Sequence, residues 1–301
     1  MSRVSIGGQA VIEGIMMKNN DKYAVAVRKP DKEIEVKVTE YKPAVEKCKP
    51  LKLPILRGVV NFVESLTIGV GTLMYSAEFF EEEDEKAEKK SSEKADKLMM
   101  IGTVAFSLVI AIGLFMLLPA FLVTFIERYI DNHFVTALIE GVIRIAIFLG
   151  YVVLISRMED IKRTFMYHGA EHKTINCLEH GLELNVENIM SESRFHKRCG
   201  TSFLFVVMIV SILVFMFIDT KVIWLKMLLR ILLVPLVAGI SYEFIKYAGR
   251  SESAFANILS KPGLWIQRLT TREPEPDMVE VAIKSVEAVL DWRAYLAEQN
   301  R

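Results

Sequence analysis

LMMIGTVAFSLVIAIGLFMLLPAFLVTFI, residues 98–126, runs 29 positions without a charge. As a helix it would rise about 44 Å, more than the roughly 30 Å of a bilayer's hydrocarbon core. It therefore reads as a tilted transmembrane span, with Pro119 predicting a kink. Three more apolar runs follow, Phe134 to Ser156, Ser202 to Ile218 and Val222 to Ile245. Two of the connecting loops are short, Glu127 to His133 and Asp219 to Lys221. The third, 157–201, is long and carries Arg157, Lys162, Arg163, Lys173, Arg194, Lys197 and Arg198, against Arg128 and Lys221 in the short loops. Positive residues mark the cytoplasmic side. The long loop and both termini are thus expected in the cytoplasm. The fold class expected is an α-helical membrane protein with four transmembrane helices, 98–156 and 202–247, and a small cytoplasmic α+β part.

Composition agrees with that class. Of 301 residues, 52% are apolar, and the mean hydropathy is +0.31, high for a soluble chain. Lys+Arg and Asp+Glu both number 37, so no global basic field exists to hold nucleic acid. The start, Met1 to Gly8, lacks a basic region followed by an apolar core, so no cleavable signal peptide is expected. Cys48, Cys177 and Cys199 are odd in number and scattered, which does not read as a disulfide framework.

Outside the spans, residues 1–54 read as a β-meander of three strands. Ala10 to Met17 is an apolar run, Tyr23 to Arg28 a second strand, and Glu33 to Thr39 alternates with period two, as a sheet with one wet face should. Gly7, Gly8 and Gly14 bracket Gln9 to Glu13; they are strand ends and bulges, or they let backbone pass close to an active site with Gln9 or Glu13 pointing in. Residues 55–80 are apolar but carry Arg57, Asn61 and Glu64 in one half, which predicts an interfacial amphipathic helix. Residues 81–97 form a charged, solvated linker. In 248–301, Pro262-Gly263 breaks the chain, Thr270 to Asp277 carries a helix-start signature, and Met278 to Gln299 reads as an amphipathic helix docked on the sheet.

Two spans hold charges at depth. Glu140 and Arg144, and Lys226 and Arg230, each lie i,i+4 and at similar depths, so they are expected to cross-pair.

The chemistry is concentrated in the long loop. Met158, Ile161, Phe165, His168, His172, Ile175 and Glu179 fall at spacings of three and four, one helical stripe continuing from the second span and ending at His180-Gly181. His168, Glu171 and His172 share a helix face in the order H-x-x-E-H, two imidazoles and an adjacent carboxylate. His196 and Cys199 supply a further imidazole and thiol, and the four ligands His168, His172, His196 and Cys199 suit zinc. Four ligands would close the site as a structural one; three would leave room for a water that Glu171 can activate. Glu179 lies about 10 Å beyond His172 on a straight helix, too far for the same ion. Cys177 and His180 are peripheral, and His133 belongs to the opposite side.

At these residues the chain resembles the YqhQ-like family of bacterial multi-pass membrane proteins, a family of unknown function whose members are labelled predicted metal-dependent enzymes. The resemblance runs through Gly7 to Met17, Leu56-Arg57-Gly58, His168 to Lys173, His196 to Phe203 and Leu269 to Pro274. It implies a location in the bacterial cell membrane and a metal centre, and brings no established reaction. Lys197 stands where the family commonly has proline, which leaves the ligands in place and removes a rigid turn.

Three functional expectations follow. The first is a membrane-embedded zinc-dependent hydrolase at the cytoplasmic face, with Glu171 as its base, the lipid bilayer as its medium and an unknown cytoplasmic substrate or protein partner. The second is a non-catalytic scaffold with a closed structural zinc. The third, a transporter using Glu140, Arg144, Lys226 and Arg230, lacks the inverted repeat such proteins show.

Overall fold

A computed structural model of the chain describes residues 6–80, 93–220, 222–251 and 253–299; most of the expected linker, 81–92, lies outside them. The N-terminal part is a four-stranded antiparallel sheet, β1 (Ile6–Val11), β2 (Gly14–Asn19), β3 (Lys22–Arg28) and β4 (Ile34–Glu40), in that order. The expected strand from Ala10 to Met17 is two strands. A two-residue turn splits it, with Glu13 at φ 47° and Val11 opposite Gly14. Apolar residues on both sides of so short a turn hide it from a hydropathy reading.

Alternation sends two different sets of side chains to the two faces. Ile6, Ile15, Met17, Ala24 and Ala26 join one core, and Val11, Met16, Val25 and Val27 another. The second core is closed by Ile68 and Tyr75 of α1 (Leu56–Ala77) and by Phe79 in the turn that follows it. The inner strands are therefore covered on both faces, while β4, the strand whose alternation predicts a wet face, keeps one with exposed Glu35 and Lys37. The first turns of α1 meet α8 (Ile223–Arg250) instead: Arg57 Nε donates to Glu243 at 2.6 Å and Asn61 Nδ2 to the Tyr242 hydroxyl at 2.7 Å.

Among the described residues, four helical stretches are long and apolar enough to cross a membrane: Leu56–Phe80, Leu98–Glu127, His133–Ile155 and Ile223–Gly249. The second takes in α2 (Glu93–Ile112) from Leu98 on, a π-type turn at Gly113–Leu117 and α3 (Leu118–Glu127). The wide turn shifts the hydrogen-bond register just before Pro119, whose ring cannot sit in a regular ladder. The expected third span is α7 (Gly200–Phe215), shorter than its apolar run and outside the four. Within α4 (His133–Ile155), Glu140 accepts from Arg144 at 2.8 Å. Both of its oxygens accept from Arg230, at 2.6 and 2.7 Å, so the two helices are cross-paired. Lys226 stands farther off, 4.0 Å from Glu140 and 3.6 Å from Glu127.

Two C-terminal expectations change. Pro262-Gly263 does not break the chain; α9 (Ala254–Thr270) runs through both. A Cβ on Gly263 would stand 2.5 Å from Ser202 Oγ, so the glycine serves close crossing of α9 over α7. The amphipathic helix is two, α10 (Pro276–Val289) and α11 (Trp292–Gln299), parted at Leu290-Asp291. As expected, α10 docks on the sheet, burying Met278, Val281, Ala282 and Val286 and donating Ser285 Oγ to the Ala24 carbonyl at 3.1 Å.

Candidate metal centre

The centre is built on α5 (Glu159–Glu179). This helix does not continue the preceding one: a bend at Ser156–Met158 separates them, and Glu159 and Asp160 then occupy the first turn, where the dipole favours acids. It stops at His180, with Gly181 at φ 74° as expected of a C-terminal glycine. From Tyr167 to Leu178 the helix is buried on nearly every side, more than a single stripe. Two of its polar residues are satisfied there: Lys173 Nζ donates to the Met190 carbonyl of α6 (Val186–Ser191) and the Glu192 carbonyl at 2.9 and 2.6 Å, and Asn176 Nδ2 to the Ser193 carbonyl at 2.6 Å.

Both histidines are oriented by main-chain acceptors. His168 Nδ1 meets the Thr270 carbonyl at 2.8 Å, and His172 Nδ1 meets the Arg194 carbonyl at 2.7 Å. A carbonyl only accepts, so each Nδ1 carries a proton, and in the neutral ring Nε2 is the nitrogen that presents a lone pair. His168 Nε2 lies 3.2 Å from Cys199 Sγ, and the ligand atoms of His168, His172 and Cys199 all fall within 4.8 Å of one another. Cys199 caps α7, and its sulfur receives the Thr201 N–H at 3.4 Å.

Burial works against a charged Cys199, yet His168 and His172 draw its thiol well below the ordinary range. Burial likewise works against a charged His168, but Cys199, then Glu171 and the Thr270 carbonyl, push it up to about 9. Burial lifts the Glu171 carboxyl against the opposing pull of both imidazoles. Two buried atoms here have no hydrogen-bond partner among the described residues, His172 Nε2 and Glu171 Oε2. Orphaned buried polar atoms call for an explanation, and a cation held by two imidazoles and a thiolate supplies one. The donor set fits zinc.

His196 is near but turned away. Its ring centroid lies 5.8 Å from that of His172, while its Nε2 meets Glu179 Oε2 at 3.3 Å. Glu179 also pairs with Arg198, so it anchors the 196–198 segment. The Gln267 side chain clamps the His196 main chain from both sides, accepting from its N–H and donating to its carbonyl, each at 2.8 Å. Cys177 faces the Leu182 and Glu183 carbonyls, and His180 pairs with Glu192. His133 bonds the Met216 carbonyl at the far end of α7.

Sequence reasoning missed the close approaches. A Cβ on Gly169 would lie 1.9 Å from the Arg272 carbonyl oxygen, so only glycine lets α5 meet the 270–275 segment that orients His168. A Cβ on Gly8 would lie 2.8 Å from the Glu171 carboxyl carbon. Backbone of β1 does pass the site, at Gly8. Glu13 instead accepts from Arg163 Nε and Nη2 at 2.5 and 2.6 Å and from the Tyr167 hydroxyl at 3.2 Å, which ties the β1–β2 turn to α5. Gln9 reaches the Gly69 carbonyl. A glycine in mid-helix was the one available signal for Gly169.

The chain is 36% identical over 304 residues to the "Uncharacterized protein YqhQ" of Bacillus subtilis (strain 168), covering 98% of this chain and 95% of that one. No solved structure matches it. A family profile matches residues 53–292, spanning α5, both histidines and Cys199, and the chain belongs to that family, described as "Protein of unknown function (DUF1385)".

Proposed function

We propose that this protein is a membrane-embedded, zinc-dependent hydrolase whose site faces the cytoplasm. One observation carries the reading: His168 Nε2, His172 Nε2 and Cys199 Sγ converge beside the buried, unpartnered Glu171 Oε2. Three protein ligands leave a position open, as catalytic zinc sites do. Bound there, zinc supplies a Lewis acid that polarises a carbonyl or phosphoryl oxygen and makes water a nucleophile near neutral pH. The Thr270 and Arg194 carbonyls fix the tautomer and tilt of the two imidazoles. Glu171 takes the proton from the attacking water and returns it to the leaving group.

The long apolar helices support a location in the cell membrane, and the basic 157–201 segment supports a cytoplasmic side for the centre and both termini. Packing of the second half of α1 on the sheet supports an interfacial rather than a spanning α1. A closed structural zinc with His196 as fourth ligand is the second reading, favoured by the 5.8 Å between the His172 and His196 rings. The engagement of His196 with Glu179 weighs against it.

Elemental mass spectrometry of the detergent-purified chain tests the centre. About one zinc per chain is expected, and its loss in the His168→Ala/His172→Ala double variant. Glu171→Gln should keep the zinc and lower hydrolysis of ester or amide probes by about 10²–10⁴-fold. No metal in the native chain, or unchanged hydrolysis in Glu171→Gln, would sink the proposal.

A further inference from the structure

Among the described residues, β1 is an edge strand that pairs with β2 alone. The two-residue turn closes on Val11 and Gly14. Antiparallel pairing alternates from there, so Val11, Gln9 and Gly7 turn their main-chain groups to β2, while Ala10 and Gly8 turn theirs to the free edge. Among the described residues, no hydrogen bond satisfies Gly8 or Ala10 on that side. Such an edge is a template for one more strand.

The surroundings favour that use. The space over Gly7 is open, and Gly8 lies directly against the Glu171 carboxyl group. A cavity of about 430 Å³ opens beside β1 on the side of the sheet that faces α1, between Gly7 and Gln9 of β1, Met16 and Lys18 of β2, and Ser65 and Ile68 of α1. It has room for side chains of an added strand. Unpaired N–H and C=O groups repeating at strand spacing are matched by another polypeptide backbone; a lipid chain or a small ester has no such series.

The geometry points to β1 as the docking edge for an extended polypeptide, which adds as a fifth strand and lays a peptide bond beside Glu171 and the His168, His172, Cys199 centre. This rests on the hydrolase reading and names its substrate class, an unfolded protein segment. The reaction is amide hydrolysis. Water oxygen bonds the carbonyl carbon, the C–N bond breaks, and the proton taken by Glu171 goes to the departing amine.

The test uses the full zinc-loaded chain in detergent, as Glu171→Gln to prevent turnover. The probe is a reduced, carboxymethylated protein that stays unfolded. Amide hydrogen exchange is followed by mass spectrometry over residues 6–11, with zinc content measured on the same sample. Slowing of β1 exchange by about tenfold or more is expected, since strand pairing protects edge amides. Adding Ala10→Pro removes one edge N–H at a position an edge strand tolerates, and it should abolish the slowing while zinc is retained. Should that variant not fold, exchange in the Glu171→Gln chain with and without probe still decides. Unchanged β1 exchange at saturating probe in a zinc-loaded sample overturns the docking edge and leaves the metal centre standing. Slowed exchange in a chain that holds no zinc supports the edge and sinks the hydrolase.

Discussion

Replacing Gly169 by alanine tests how the centre is held. The new Cβ would sit 1.9 Å from the Arg272 carbonyl oxygen, and real Cβ atoms stay beyond 3.0 Å, so α5 and the 270–275 segment must part. Two bonds lie across that gap, Arg272 N–H to the Phe165 carbonyl at 2.9 Å and His168 Nδ1 to the Thr270 carbonyl at 2.8 Å. The clash is with backbone, so no side chain can rotate away. Overpacking costs about 1–3 kcal/mol, and a lost hydrogen bond about 1 kcal/mol more. Alanine's better helix propensity returns less than about 1 kcal/mol. The net expectation is a loss of about 1–4 kcal/mol. Loss of the carbonyl that orients His168 should also weaken zinc binding by about 10–100-fold. Chelator competition followed by elemental analysis reads the affinity, and thermal unfolding in detergent reads the stability. Gly150→Ala is the control, because nothing lies within 4 Å of a Cβ there. A Gly169→Ala chain with native zinc affinity and native unfolding would refute the close-approach argument.

Glu140→Gln leaves Arg144 and Arg230 buried with no counter-charge, and should destabilise the helices by about 3–5 kcal/mol, read as lost monodisperse protein on size exclusion. Replacing Glu140, Arg144 and Arg230 together by Leu or Met should restore it; failure to recover would assign the cluster a role beyond pairing. Arg163→Ala removes the bidentate pair to Glu13, and because Arg163 is partly solvent-exposed the expected cost is only about 1 kcal/mol, with faster hydrogen exchange in the β1–β2 turn. Burial pushes the Cys177 thiol up to about 12 from an ordinary 9.0. The folded state therefore holds that proton more tightly, so the stabilisation is full below pH 9.0 and is lost as pH rises toward about 12. Iodoacetamide at pH 8 should label the exposed Cys48 and spare Cys177, and Cys177→Ala should flatten the alkaline fall in stability; equal labelling of the two would contradict the burial.

What the sequence disclosed was local. Runs such as 98–126 and 134–156 announce long apolar helices because length and hydropathy are local quantities. The i,i+4 placement of His168 and His172 is helical geometry alone. What it withheld was tertiary. Whether α1 is a span or an interfacial helix depends on what its second half packs against, and hydropathy is the same either way. The reach of Glu179 to His196 could not be seen along α5, because the 196–198 segment folds back over the helix end. The strand break at Glu13 was hidden because a turn of two residues leaves the apolar pattern almost unbroken.

The close-approach glycines themselves argue that the centre is where this chain concentrates its constraints. Gly8 yields to Glu171, Gly169 to Arg272, Gly263 to Ser202 beside the Cys199 cap, and Gly249 to Arg198 beside Cys199. Three of the four lie in helices, where glycine sacrifices about 0.5–1 kcal/mol each relative to alanine. Packing alone does not need that sacrifice, since large-to-small compensation is available almost anywhere in a core. What it secures is the approach of a strand and three helices to one another around His168, His172 and Cys199, with both Nε2 atoms and the sulfur facing inward. A chain that accepts weaker helices at the walls of one cluster, and leaves two buried polar atoms there without partners, has the pattern expected of a functional centre, where local rules are broken for a purpose.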